Sequence, residues 1–439
     1  MKFYDRTAQL HALETIDRQT GESGKMTVIT GRRRVGKTML ALKFSENKRR
    51  LYFFVSKKDE QLLCDDFLKM IRDHFKTPVI GEIKTFSQIF ELTLQLAAQE
   101  KLLLIIDEFQ EFYNVNPSVY SEIQHLWDRH KRNAKLHLVL IGSVYSLMVK
   151  IFENAKEPLF GRADRFLHVK PFRPKIIKDI LLDYDAFNLD NFFVHYTVTG
   201  GIPRYIEILS DNRKFKENDV FDFVLQKDSP FLNEGKNLLI EEFGNKHGTY
   251  FSILELIASG KTDRSAIESI LEKNIGGHLD RLESIYDVVA KIKPFDAKPS
   301  GRVQKYLIKD NFLNFWFRFI HKFKPAVEME NFDYVLEIVQ RDFSAYSGRF
   351  LEKLFHELIA ETREYNRIGT YWEKGHQNEI DLVAVNDLKK KMLLAEIKVN
   401  PRKISIAALK GKARKPTSRY QNFDITYKGL SVNDIAQYL

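Results

Sequence analysis

The stretch Gly31-Arg32-Arg33-Arg34-Val35-Gly36-Lys37-Thr38 constrains this chain more than any other. It fits G-x-x-x-x-G-K-[ST], and it has the context that gives that pattern meaning. Residues 26–30 (Met-Thr-Val-Ile-Thr) read as a short buried strand before it, and residues 39–44 (Met-Leu-Ala-Leu-Lys-Phe) as the start of a helix after it. Through Gly31, Arg34, Val35 and Gly36 the backbone turns its N–H groups inward at a helix N-terminus, where the dipole favours anions. Lys37 reaches the outer phosphates of a bound nucleotide, and the Thr38 hydroxyl is a hard oxygen ligand for Mg²⁺. ATP and Mg²⁺ are the expected cofactors.

Residues 1–170 alternate strand and helix around this loop. Strands are expected at 51–55 and 136–141, helices at 60–75, 86–100 and 117–132. The run 101–108 (Lys-Leu-Leu-Leu-Ile-Ile-Asp-Glu) is a continuous apolar strand ending in two acids, as a central parallel strand covered on both faces requires. Such alternation implies a parallel sheet with helices on both sides. Acids at the carboxyl end of a parallel strand lie where ligands bind in these sheets. Asp107 would hold the Mg²⁺ shell, and Glu108 would orient or deprotonate the attacking water.

The chain has 439 residues, too many for one ordinary core. Its single cysteine, Cys64, excludes an intrachain disulfide and a cysteine zinc cluster, which suits a reducing cytoplasm. No apolar stretch follows the N-terminal residues as in a signal peptide, and the apolar-rich run 136–149 is broken by Gly142 and Ser143. A cytoplasmic protein without a membrane partner is therefore expected.

Taken together, Phe3…Arg6, Gly31 to Thr38, Ile106-Asp107-Glu108-Phe109-Gln110, Ile141-Gly142-Ser143, Leu159-Phe160-Gly161-Arg162 and Gly200-Gly201-Ile202-Pro203 resemble the archaeal ATPase family, a branch of the AAA+/signal-transduction ATPases found in archaea and bacteria. The resemblance covers nearly the whole chain. It implies that Ser143 senses the γ-phosphate from the neighbouring strand. It also implies that Arg162, with Arg165 close by, is a candidate arginine finger, which in trans requires a homo-oligomer. Residues 171–245 are helical and strand-poor, as in the lid of such ATPases, with Arg204 a candidate second sensor.

Residues 246–325 change character: three short helices, then two alternating strands joined through Lys298-Pro299-Ser300-Gly301. That is the pattern of a winged helix-turn-helix, with His278 and Arg281 on its third helix facing a DNA groove. The same helix and its end carry Asp280, Glu283 and Asp287, which weakens that reading. The aromatic run 308–323 has no regular basic interleaving and reads as an interdomain core.

In residues 326–439 a helix opens at Ser347-Gly348-Arg349-Phe350-Leu351-Glu352, with Leu351, Leu354, Phe355 and Leu358 as its apolar stripe. Two strands follow, 379–385 and 392–399. A hairpin centred between Leu388 and Lys389 sets Asp381 opposite Glu396 and puts Lys398 on their face, with Ile380, Leu382, Ala384, Leu393, Ala395 and Ile397 on the other. Glu352, Asp381, Glu396 and Lys398 resemble a PD-(D/E)XK nuclease site, as in the restriction-endonuclease-like domain fused to archaeal ATPases. Asp381 and Glu396 would then ligate a second Mg²⁺ or Mn²⁺. Between Lys389 and Lys415 stand ten Lys/Arg and one acid, Glu396, against a whole-chain net charge of +10. DNA is the expected partner of that region. The overall expectation is an α/β fold: a P-loop NTPase parallel sheet (1–170), a helical lid (171–245), a winged helix (246–325) and an α/β nuclease-like domain (326–439).

Overall fold

The structure is a computed structural model that describes residues 1–76, 82–244, 247–298, 300–301, 303–375 and 377–439. They divide into two compact units, Asp5–Lys170, and Met1–Tyr4 with Pro171–Leu439.

In the first unit five parallel strands, β1 (Lys25–Thr30), β2 (Arg50–Phe54), β3 (Leu102–Asp107), β4 (Leu136–Ile141) and β5 (Arg165–His168), run in the order β2-β3-β4-β1-β5. Every residue of β3 and β4 is buried, so a near-continuous apolar sequence, broken only by His137 and the terminal Asp107, is what helices on both faces demand. Helix Glu60–Phe75 turns Leu63, Phe67 and Ile71 inward at four-residue spacing, and Phe67 stacks on Phe53 of β2 with centroids 4.3 Å apart. Each such fully buried side chain contributes roughly 1.5–3 kcal/mol. Thr85 begins helix Phe86–Gln99 with a reciprocal capping box to Gln88. β5, which the sequence pattern did not suggest, extends the sheet beside β1 through pairs from Thr27↔Arg165 to Thr30↔His168. Because β4 lies between β1 and β3, the turns after all three strands share one edge of the sheet.

The second unit begins with the helices Pro174–Asp183, Leu189–Thr199, Pro203–Asp211, Glu217–Val224 and Phe231–Phe243. Three more, His247–Ala258, Arg264–Leu271 and Gly276–Ser284, lead to an antiparallel ribbon of β6 (Val289–Ile292) and β7 (Lys305–Ile308). Pro299 of the connecting turn and the expected boundary at 245/246 lie outside the described residues. The aromatic stretch that follows is core: Phe312, Phe315, Trp316, Phe317 and Phe319 are all buried. Phe312 meets Tyr205 at 4.3 Å between centroids, and a Cβ on Gly235 would lie 2.3 Å from the Trp316 ring, so helix Phe231–Phe243 packs its bare backbone on that indole. One continuous apolar cluster runs from Phe172 to Ile435.

The helix expected to open at Ser347 instead runs unbroken from Phe332 to Glu361. Its start is set by Asn331, whose side chain accepts from the Tyr334 N–H, and Val335, Ile338, Val339, Phe343 and Tyr346 extend the buried stripe towards the N-terminus. Gly348 costs such a helix about 1 kcal/mol, well below what that burial supplies. Beyond it lies a four-stranded sheet, β11-β10-β9-β8, of β8 (Arg367–Tyr371), β9 (Ile380–Asn386), β10 (Lys391–Ile397) and β11 (Asp424–Leu430). Helix Ile406–Thr417 carries the chain from β10 to its parallel neighbour β11. Leu382, Ala384, Leu393, Ala395 and Ile397 face the large core, as expected. Ile380 does not: it joins Val383, Val385, Met392 and Leu394 in a second core, under helix Ile406–Thr417. The β8–β9 pairing shifts between Gly369 and Tyr371, where Tyr371 meets Ile380, and the local irregularity turns that side chain over.

Candidate functional site

At the end of β1 the chain enters a tight loop. Gly31 has φ +143°, and a Cβ there would stand 2.3 Å from the Val169 carbonyl oxygen, so only glycine fits. Arg34 (φ 70°) and Gly36 (φ 89°) are also left-handed, which turns successive N–H groups into a concavity ahead of helix Lys37–Phe44. Lys37 is buried, and its Nζ donates to the Gly31 and Arg32 carbonyls at 2.8 Å each, holding the ammonium within its own loop. Arg6, 4% exposed, braces the loop from outside: its Nη2 donates to the Val35 carbonyl at 3.0 Å.

Asp107 ends β3 only 3% exposed. Its Oδ2 accepts from Thr38 Oγ1 at 2.6 Å and from Tyr52 Oη at 2.8 Å, and its Oδ1 from the Glu108 N–H at 2.8 Å. Burial and the Asp107 charge push the Tyr52 phenol up, so it stays a donor. Thr38 and Asp107 thus present hard oxygens side by side, a donor set that fits Mg²⁺. Glu108 is left-handed (φ 54°), and its Oε2 accepts from Ser143 Oγ at 2.7 Å and from Gln110 Nε2. Gly142, between β4 and Ser143, donates to the Ile29 carbonyl at 3.1 Å, which fixes the β4 turn beside the phosphate loop. Gly31, Arg34, Val35, Gly36, Lys37, Thr38, Asp107, Glu108 and Ser143 therefore share one edge of the sheet.

Arg162 does not join them. Asp164, two residues on, exchanges hydrogen bonds with the Met26 backbone at the start of β1, the edge opposite the phosphate loop. There Arg162 holds Asp128 Oδ2 through Nε (3.2 Å) and Nη2 (2.9 Å). Arg165 is exposed at the same end of β5. Arg204 pairs with Glu207 at 2.6 Å on its own helix. Tyr52 was missed by sequence reasoning, and Gln110, though part of the stretch that carries the family resemblance, was given no role: both depend on the order of the strands, although Tyr52 is the one polar side chain among the aromatics of its strand.

The β9–β10 hairpin has the expected register. Ala395 pairs with Leu382, so one step further Glu396 faces Asp381. Asp381 Oδ2 accepts from Lys398 Nζ and from the Ile397 N–H, both at 2.7 Å. Glu396 accepts from the Ser405 N–H at 2.7 Å and lies 3.5 Å from Lys412 Nζ. Glu352 comes close enough to feel them: burial first, then the Asp381 charge, push its carboxyl up to about 8. His356, one turn along that helix and also unforeseen, bonds the Asp381 carbonyl through Nε2 at 2.8 Å. The second cluster therefore assembles, but with its acids bound to lysines. Among the described residues no group of three or more His, Cys, Asp or Glu side chains is gathered closely enough to hold a metal ion. On the third helix of the middle segment, His278 packs edge-on against Tyr250 and Arg281 bonds the same tyrosine. Glu283 pairs with Lys291, and Asp287 with Lys309.

A glycine loop on a parallel strand, a lysine and hydroxyl opening the next helix, and an acid pair on the strand beyond β4 define a P-loop ATPase. Residues 3–209 match the family described as an ATPase domain predominantly from Archaea, and residues 316–408 one described as archaeal and bacterial proteins of unknown function. An uncharacterized protein of Methanocaldococcus jannaschii is 31% identical over 409 residues, covering 90% of this chain and 87% of that one. A Walker-type ATPase of Pyrococcus abyssi has the same fold, with a TM-score of 0.55 at 18% identity over 72% of this chain and 96% of that one. The chain belongs to the archaeal ATPase family, in a form that carries this C-terminal domain of unknown function. Among the described residues no helix is long and apolar enough to cross a membrane.

Proposed function

We propose that this ATPase is a Mg-ATP-dependent switch or motor in a DNA-directed process, and that its C-terminal sheet and basic helix touch the DNA. One observation carries the DNA part. The only acid among ten Lys/Arg between Lys389 and Lys415 is Glu396, and it is turned inward, 7% exposed, onto the Ser405 N–H. What the segment offers outward is positive charge, including Arg402, Lys403, Lys410 and Arg414, all exposed. Each phosphate such a surface meets releases condensed counterions.

At the nucleotide site Lys37 and the loop N–H groups bind the phosphates, Thr38 and Asp107 hold the Mg²⁺ shell, and Glu108 orients the attacking water. Bound Mg²⁺ supplies the charge neutralisation that phosphoryl transfer needs. Ser143 leaves Glu108 to sense the γ-phosphate. Arg162, at the far edge of its own sheet, serves as a finger only in a neighbouring copy, so turnover would rise with protein concentration. We read the second unit as lid (171–245), winged helix (246–325) and nuclease-like domain (326–439). Duplex DNA anisotropy measured across a salt series tests the partner: affinity should fall steeply with salt, and a salt-independent affinity rejects DNA.

A second reading, a metal-dependent DNA nuclease gated by ATP, is favoured by the hairpin register that sets Asp381 opposite Glu396 with Lys398 beside them. A divalent ion at Asp381 and Glu396 would compete with the nearby Lys398 and Lys412 ammonium groups, so activity would need high Mg²⁺ or Mn²⁺. Cleavage of supercoiled DNA that disappears in Asp381→Ala supports this reading. Cleavage that survives in Asp381→Ala, or none at any metal concentration, leaves a binding module.

A further inference from the structure

Gln110 is wholly buried, yet the nucleotide chemistry above gives it no task. Its side-chain amide joins two parts of the site. Nε2 donates to Glu108 Oε2, and Oε1 accepts from the Ser143 N–H at 3.3 Å. The Ser143 partner fixes which end is which, because a backbone N–H can only donate and so must meet the amide oxygen. Its main-chain carbonyl is tied as well, accepting from Tyr120 Oη at 3.2 Å. The loop after β4 is pressed against this amide: a Cβ on Gly142 would stand 2.7 Å from Gln110 Oε1 and 2.1 Å from Met148 Sδ.

The two donors to Glu108 differ in kind. The Ser143 hydroxyl, bonded to Glu108 at 2.7 Å, is free to turn away by rotation about one torsion. The Gln110 amide is anchored to a backbone N–H and sealed in the core, so it stays. Glu108 itself stands at φ 54°, a conformation its surroundings rather than its own preference must hold.

We propose that Gln110 is a positioning residue of the ATPase reaction: it holds the Glu108 carboxylate in line for the attacking water when the Ser143 hydroxyl swings to the γ-phosphate, and it ties that carboxylate to the β4 turn. The proposal rests on the assignment of Glu108 as the group that orients the water.

The test is steady-state ATP turnover and equilibrium nucleotide binding of the full chain, with Gln110→Met, Gln110→Ala, Glu108→Gln and each Gln110 change combined with Glu108→Gln. Gln110→Met keeps the length and apolar packing where Gln110→Ala opens a cavity, so the fold is safeguarded. Loss of aim at a reacting group costs roughly 10²-fold. Gln110→Met should therefore lower kcat by about that factor while KM and nucleotide affinity stay within roughly twofold. In the Glu108→Gln background the same change should lower turnover no further, since the two residues act as one. An unchanged kcat in Gln110→Met overturns the proposal, as does an equal further loss in the Glu108→Gln background, which a merely structural glutamine would give. Full turnover in Glu108→Gln alone overturns it together with the assignment beneath it.

Discussion

Two strand ends in this chain carry pairs of acids, buried at Asp107, Asp381 and Glu396 and half-buried at Glu108, and their partners differ in kind. Asp107 and Glu108 accept from neutral groups: the hydroxyls of Thr38, Tyr52 and Ser143, the Gln110 amide and a backbone N–H. Asp381 and Glu396 accept from backbone N–H groups too, but each also has an ammonium, Lys398 or Lys412, within 3.5 Å. Neutral donors orient a carboxylate and leave its charge for a metal ion. Ammonium donors cancel the charge, so a cation must compete with a lysine, while a phosphate meets ready partners. The first arrangement suits metal-assisted phosphoryl transfer; the second suits a surface that grips polyanions.

The largest effect should come at the first strand end. Lys37→Ala should cut ATP turnover by roughly 10²-fold or more, as expected for the loss of a donor aimed at developing phosphate charge. It should leave DNA affinity untouched, and DNA binding that fell in step with turnover would undo the division of labour. Next comes the basic surface. Reversing Lys403, Lys410 and Arg414 to Glu should weaken duplex binding alike for all sequences and flatten the log–log salt slope by roughly 0.9 for each phosphate no longer neutralised. Lys412 is best left alone because its charge supports Glu396. A smaller effect is expected from Lys398→Ala, which leaves Asp381 with the Ile397 N–H and should cost roughly 1–2 kcal/mol in a thermal melt, with no change in ATP turnover.

A separate effect is a difference in pH response. In the second unit Glu352 is raised to about 8, so the folded state favours its protonated form. Its contribution to stability is complete below the ordinary carboxylate value of ~4.3 and is lost as pH climbs towards about 8. In the first unit burial pushes Asp17 up, but hydrogen bonds from His137 and Lys101 and the Lys48 charge outweigh it and hold the carboxyl well below its usual range. That contribution is present above ~4 and disappears on acidification. The two units should lose stability in opposite pH directions, and Glu352→Gln should remove the upper slope alone. Parallel pH curves would show that other groups dominate.

The nucleotide site was largely legible because its chemistry is local. Eight consecutive residues and one strand end name the phosphate loop, Asp107 and Glu108. Register was legible too, since the turn after Asn386 and the alternation in 379–399 leave one pairing that buries the apolar residues. What escaped is what neighbours decide. β5 is four residues, three of them exposed, and exists because β1 offers a free edge. Helix Ile406–Thr417 buries only Leu409 and Ala413, so its lysines masked it as a mere charge cluster. The start of helix Phe332–Glu361 was displaced because Ser347-Gly348 resembles a helix start, whereas tertiary packing carries the helix through. Tyr52, and a task for Gln110, became visible only once the order of the strands was known.

The most direct test compares Glu108→Gln with the unaltered chain for ATP turnover and for equilibrium binding of Mg-ATP. Among the described residues the Glu108 carboxylate accepts from neutral donors, and glutamine preserves its shape while removing the charge proposed to orient the water. The expected result is nucleotide binding within about twofold of the unaltered chain and turnover reduced by roughly 10²-fold or more. Equal turnover in the two proteins would contradict it.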